Sequence, residues 1–151
     1  MEITWEGLRQ MEPGTILHDV FEDGLRFIIV RGPASLCAYI GLPKEHPLAG
    51  HSYDDLPVTA HGGLTFARLG DDKPWPKGYY WYGWDFAHSG DYCFSNDEAY
   101  IQALGHDHSK EKKWLVEDVI KESWETLYDF KHLMSMAERI ASRAKRGASD
   151  V

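Results

Sequence analysis

Cysteine is scarce in this chain. Cys37 and Cys93 are the only two, and their spacing is not paired, so no disulfide framework is present. Long apolar runs are missing as well: no stretch approaches the ~18 residues that a membrane span needs. The N-terminal MEITWEGLRQMEPG has no apolar h-region of the secretory kind. Together these absences lead to the expectation of a reducing cytoplasm, with no membrane partner. Positive charge is also in short supply. Sixteen Lys and Arg stand against 24 Asp and Glu, and the net charge of −8 argues against a nucleic-acid binder that works through a broad basic face. No internal repeat and no low-complexity segment is found.

What remains is ordinary for a globular protein, with one exception. At 151 residues and 43% apolar, residues 1–151 are expected to form a single domain with a core of its own. The exception is aromatic content: six Trp and eight Tyr are many for this length. Residues 3–10 read as a short helix or an irregular lead-in, ended by Pro13-Gly14. Leu25 to Arg31, LRFIIVR, reads as a strand, Gly32-Pro33-Ala34 as a turn, and Ser35 to Leu42 as the returning strand. The segment 43–57 is a loop by its three prolines and its polar residues, and it carries Lys44, Glu45, His46, His51, Asp54 and Asp55.

A second hairpin follows, with strands at about Val58–Leu69 and Tyr79–His88 around the turn GDDKPWPKG. Centred near Lys73, it sets His61 opposite Asp85, Gly63 opposite Gly83 and Thr65 opposite Trp81. Leu64, Phe66, Tyr82, Trp84 and Phe86 then form the core face, and a small, polar face carries Gly63, Gly83 and Ala87. Ser95 and Glu98 resemble a capping box that opens a short helix through Leu104, with Gly105 at its end. Ser109 is placed to cap a long helix from about Lys110 to Lys145, with the apolar stripe Val116, Ile120, Leu127, Phe130, Met134, Ala137, Ala141. Such a helix would exceed ~50 Å, so a break around Glu125–Asp129 or an overhanging end is expected. The sum is an α+β fold: an antiparallel sheet of about four strands, in two hairpins, packed against C-terminal helices.

Ligand-type side chains concentrate at one place in this scheme. If the second and third strands are neighbours, the loop 43–57 leaves and re-enters at the edge where His61, Asp85, His88 and Asp91 lie. Three chemistries fit. As metal ligands, His61, Asp85, His88 and Asp91 suit Zn, Mn or Fe, which lowers the pKa of a bound water toward ~7. Without a metal, His61, Asp85 and His88 suit acid–base catalysis, since His titrates near neutral pH. In a binding site with no reaction, His46, His51, Gly63 and Gly83 are the expected ligand- or cofactor-binding positions, the glycines admitting a ligand close to the backbone. Each has a plainer counterpart. An Asp–His hydrogen bond can simply fix a hairpin, Asp91 can cap a turn after Gly90, and the two glycines can relieve crowding. His106 and His108 read as solvated residues, and the basic C-terminal run Arg139, Arg143, Lys145, Arg146 as a solvated helix end.

The blocks GLPKEHP, VTAHGGLTF and WYGWDFAHSGD resemble a group of small, uncharacterised proteins common in phages and prophages. The similarity covers about residues 39–92, and Trp84 stands where the group's pattern has Phe. The resemblance implies a context, a phage accessory protein in the bacterial cytoplasm, and supplies no catalytic residues. The expected function is therefore a phage-type accessory protein whose His/Asp pocket binds a small ligand or a divalent metal, with metal-dependent hydrolysis of a nucleotide-like substrate as the reaction. The alternative is a non-catalytic protein that sequesters a small molecule or a host protein, with the His/Asp cluster structural. A homo-oligomer is compatible with either.

Overall fold

The computed structural model describes residues 3–95 and 110–149. Helix α1 (Trp5–Gln10) is capped by Thr4, whose hydroxyl accepts from the Gly7 amide. Five strands follow: β1 (Ile16–Glu22), β2 (Leu25–Arg31), β3 (Leu36–Pro43), β4 (Phe66–Leu69) and β5 (Tyr79–Asp85). They form one sheet in the order β1-β2-β3-β5-β4, with every neighbouring pair antiparallel. Helices α2 (Val116–Glu122) and α3 (Trp124–Ser149) complete the fold. The class is the expected α+β, with five strands rather than four.

The additional strand is β1. It joins β2 through Asp23-Gly24, both at positive φ (49° and 85°), the backbone that a tight two-residue hairpin requires. On the helix side of the sheet, Leu25, Phe27, Ile29, Leu36, Ala38, Ile40, Tyr82 and Trp84 meet Val119, Leu127, Phe130 and Met134 in the main core. Arg31 is buried at the edge of this layer. Its guanidinium donates to the carbonyls of Leu8, Arg9 and Gly32 and so ties α1 to the sheet.

The second hairpin differs from its expected register. Phe66 pairs with Gly83 and Leu69 with Tyr80, an offset of three residues from a turn centred on Lys73. An odd offset exchanges the faces. Phe66 therefore lies not with Tyr82 and Trp84 but on the opposite side, with Tyr39, Trp75 and Trp81 in a second aromatic cluster. The face expected to be small and polar is in fact filled by these rings. The strand is also shorter than expected, because Gly62 and Gly63 both adopt positive φ and break extended structure before Phe66.

The strand order changes the position of the 43–57 loop. β3 neighbours β5 rather than β4, and its last residue, Pro43, pairs with Tyr79 at the start of β5. The loop thus leaves from the sheet end opposite to Asp85, which pairs with Cys37 at the other end. The chain then returns along the helix side, with Leu56, Val58, Ala60 and Leu64 packed on the core.

The long C-terminal helix is broken, as expected, but at Ser123, whose buried hydroxyl donates to the Val119 carbonyl. It begins at Val116 rather than near Lys110. Residues 110–115 instead run beside 90–92, with paired amides at Tyr92 and Lys112. The end of α3 overhangs, nearly every residue after Ala137 being exposed. The expected helix beyond Ser95, to Leu104, with Gly105, the Ser109 cap, His106 and His108, falls outside the described residues. Among the described residues, no helix is long and apolar enough to cross a membrane.

Candidate functional site

After β5 the chain turns through Gly90 (φ 93°) and brings Asp91 back under His88, with the Asp91 amide donating to the His88 carbonyl at 2.9 Å. The Asp91 side chain is only 3% exposed. A carboxylate so placed needs several donors, and it has three. The Trp114 indole Nε1–H donates to Oδ1 at 2.7 Å, the His88 amide to Oδ2 at 3.0 Å, and His61 Nε2 lies 2.7 Å from Oδ2. The donors come from three separate segments, and Trp114 reaches the site because residues 110–115 lie beside residues 90–92.

His61 is held on both faces of its geometry. Its ring stacks on Phe86 (centroids 4.5 Å apart, planes 13° apart) and meets Trp114 edge-on at 4.9 Å. Nε2 faces the carboxylate, so that nitrogen carries a proton. Nδ1 points toward Glu122, 3.6 Å from Oε1. Beside it lies a cavity of about 310 Å³ lined by Thr59, Ala60, His61, Lys121, Glu122, Trp124, Glu125 and Thr126. The 59–61 wall is anchored to α3: the Thr59 amide donates to Asp129 Oδ2 at 2.8 Å, and the Thr126 hydroxyl donates to the Thr59 carbonyl.

His88 and Asp85 form a second, looser pair. Nε2 of His88 is 3.2 Å from Asp85 Oδ1, yet out of line, so the buried nitrogen has an electrostatic neighbour and no aligned hydrogen bond. The ring lies directly over Gly62, where an added Cβ would sit 2.2 Å from Nε2. Asp85 accepts from the Ala87 amide and, at a long 3.5 Å, from the Thr65 hydroxyl. The His61 and His88 rings are 5.8 Å apart, so His61, Asp85, His88 and Asp91 do form one cluster. It assembles through the turn after β5, not through cross-strand pairing of His61 with Asp85.

The remaining expected positions lie elsewhere. His46 bonds Glu138 (3.0 Å) and accepts from the Leu48 amide, so it braces the loop against α3. Glu138 is sixteen residues beyond Glu122, about 24 Å along the helices at ~1.5 Å per residue. His51 bonds the Pro47 carbonyl, and its amide donates to the Tyr82 hydroxyl. Both histidines organise their own loop. Gly83 lies beneath the Tyr39 ring, 2.3 Å from where a Cβ would stand, so an aromatic side chain and not a ligand fills that space. Gly63 faces open space at positive φ. Neither thiol is an activated nucleophile, since burial pushes both Cys37 and Cys93 up.

As a metal centre the arrangement is a poor fit. The 2.7 Å hydrogen bond between His61 and Asp91 fills the place an ion would need, and among the described residues no group of three or more His, Cys, Asp or Glu converges to hold one. Trp114, Lys121, Glu122 and Trp124 had not been singled out from sequence. Trp114 follows no motif, and the helix-period stripe that places Lys121, Glu122 and Trp124 near the solvent face says nothing about a cavity. No protein-family model matches the chain, and no curated protein or solved structure shows significant similarity to it.

Proposed function

We propose that this protein binds a small, hydrogen-bond-donating molecule in the cavity beside His61 and uses His61 as the proton acceptor in a hydrolytic reaction. The observation that carries the reading is the fixed imidazole: a buried carboxylate holds Nε2–H and leaves the basic Nδ1 facing the cavity. With the ring neutral, Nδ1 and Glu122 Oε1 are both acceptors, 3.6 Å apart. They need a donor between them, and the O–H of a water or a ligand hydroxyl, or an N–H, supplies one. A water held there passes its proton to Nδ1 as it attacks an electrophilic carbon or phosphorus, Asp91 stabilises the resulting imidazolium, and His61 returns the proton to the leaving group. Lys121 is the cation in the lining and Trp124 the ring on which a flat ligand stacks. The resemblance to small phage and prophage proteins supports an accessory role in the bacterial cytoplasm.

The test is a titration of ¹⁵N-imidazole-labelled protein with a panel of small alcohols, amines and activated esters, followed by a hydrolysis assay on those that bind. Binding is expected to move the His61 signals. His61→Phe, which keeps the stack on Phe86 and Trp114, should abolish turnover with the fold intact. A panel that leaves His61 untouched, or turnover that survives His61→Phe, overturns the reading.

A second reading is favoured by the three donors converging on Asp91 from separate segments. In it the cluster is a clasp joining residues 61, 88 and 114, and the protein is a non-catalytic binder. It predicts that His61→Phe lowers the melting temperature and leaves ligand affinity alone.

A further inference from the structure

The outer face of α3 carries an apolar stripe with nothing packed on it among the described residues. Trp124 (69% exposed), Tyr128 (61%), Met136 (41%) and Ile140 (63%) recur at four-residue intervals through His132, and the Trp124 and Tyr128 rings stack on each other. These are the most exposed large apolar residues of the helical layer. The inner face is already committed, with Leu127, Phe130 and Met134 in the main core. A stripe at intervals of four is a ridge inclined to its helix axis. Two such ridges lie side by side when helices cross at about 50°.

Charge along the same face is divided by end. The first turns carry Glu125 and Asp129, and the last turns carry Arg139, Arg143 and Arg146. Among the described residues, Glu125, Arg139 and Arg143 make no ion pair within the chain, although each is exposed. A groove of about 320 Å³, lined by His132, Met136, Arg139, Ile140 and Arg143, runs along the basic half. One occupant satisfies the stripe and the charge division together. We propose that α3 pairs with α3 of a second copy of this chain, antiparallel and centred on His132, to form a two-fold dimer.

In that register Trp124 meets Ile140 of the second copy and Tyr128 meets Met136. Glu125 then stands opposite Arg139, so each acidic end lies on a basic end, and one symmetric contact satisfies both. A parallel pair would instead set acidic end on acidic end and basic on basic. The overhang of α3 beyond Ala137 leaves its last turns clear of the sheet and open to the second copy.

The test is sedimentation velocity on the full chain over a concentration series, with circular dichroism as the check on folding. The wild-type chain should sediment with the mass of two chains and dissociate on dilution. Ile140→Glu and Tyr128→Glu, both at exposed positions, should give a folded single chain. Glu125→Arg should weaken the dimer at least tenfold, and adding Arg139→Glu to it should restore the dimer by re-pairing the reversed charges. A single-chain mass at every concentration overturns the proposal. So does a dimer that persists in Ile140→Glu, or a double charge reversal no tighter than the single one.

Discussion

Replacing Asp91 with Ala removes one side chain and strands three donors. The Trp114 indole N–H lies within the packed layer, whereas the His88 amide is part-buried and recovers part of its loss from solvent. His61 is 18% exposed on its side chain, so its nitrogen can recover part of the loss from solvent. An orphaned buried donor costs about 1–3 kcal/mol. One full penalty and two partial ones sum to about 3 kcal/mol, a large share of the ~5–15 kcal/mol that holds a domain together. For a chain of this length, that corresponds to a fall in melting temperature of roughly 10 °C. Urea denaturation checks it: the midpoint should fall while the slope stays constant, since the exposed surface of the unfolded chain is unchanged. Asp91→Asn should cost less, about 1–2 kcal/mol, because the amide oxygen still accepts from Trp114 while the amide NH₂ faces the remaining donors. A loss below ~1 kcal/mol for Asp91→Ala would refute the three-donor network.

Gly62→Ala should be far more damaging than Gly63→Ala. Both lie at positive φ, which costs a side chain about 1–2 kcal/mol, but only at Gly62 does the new Cβ collide with His88; equal melting temperatures for the two variants would contradict this packing. Gly83→Ala should destabilise by a further ~2 kcal/mol or more through the Tyr39 ring, read by denaturant titration. The Tyr82 hydroxyl donates to the Leu48 carbonyl at 2.7 Å, and burial pushes its pKa up to about 12. The folded state therefore holds this proton more tightly than the unfolded chain does. Its contribution is complete below pH ~10 and is lost as pH rises toward ~12, at up to ~1.4 kcal/mol per pH unit. Relative to wild type, Tyr82→Phe should lose less stability across that window. Added Zn²⁺ or Mn²⁺ should leave the melting temperature unchanged, and a stabilisation abolished by His61→Phe would show a metal site instead.

Much of the sheet was readable from local pattern. LRFIIVR and SLCAYIGL are rich in the apolar, β-branched and aromatic residues that strands favour, and Tyr82, Trp84 and Phe86 are core as their period requires. β1 was missed because its alternation mixes His18, Asp19 and Glu22 into an edge strand, yet the Asp23-Gly24 pair was a direct hairpin signal. The second hairpin failed at its turn. Nine residues between strands admit several registers, and the observed one depends on Asp71 and Asp72 amides bonding the Trp75 carbonyl, which composition does not reveal. Only the spacing of Asp85, His88 and Asp91 at the end of β5 was legible; His61 was expected to join them through a cross-strand pairing that does not occur. That Asp91 and not Asp85 holds His61 was not legible, because it depends on Trp114, 23 residues further on. The exclusion of His46 and His51 follows from strand order, a long-range property that no local pattern encodes.

The proposed function requires that Asp91 fix the His61 ring with Nε2 protonated and Nδ1 free toward the cavity. The ¹⁵N imidazole spectrum of His61 near neutral pH measures this directly. A single Nε2–H tautomer is expected in the wild-type protein, changing to Nδ1–H in Asp91→Asn as the asparagine NH₂ becomes the donor to Nε2. An Nδ1–H tautomer in the wild type, or an averaged pair of tautomers indifferent to the substitution, would contradict it.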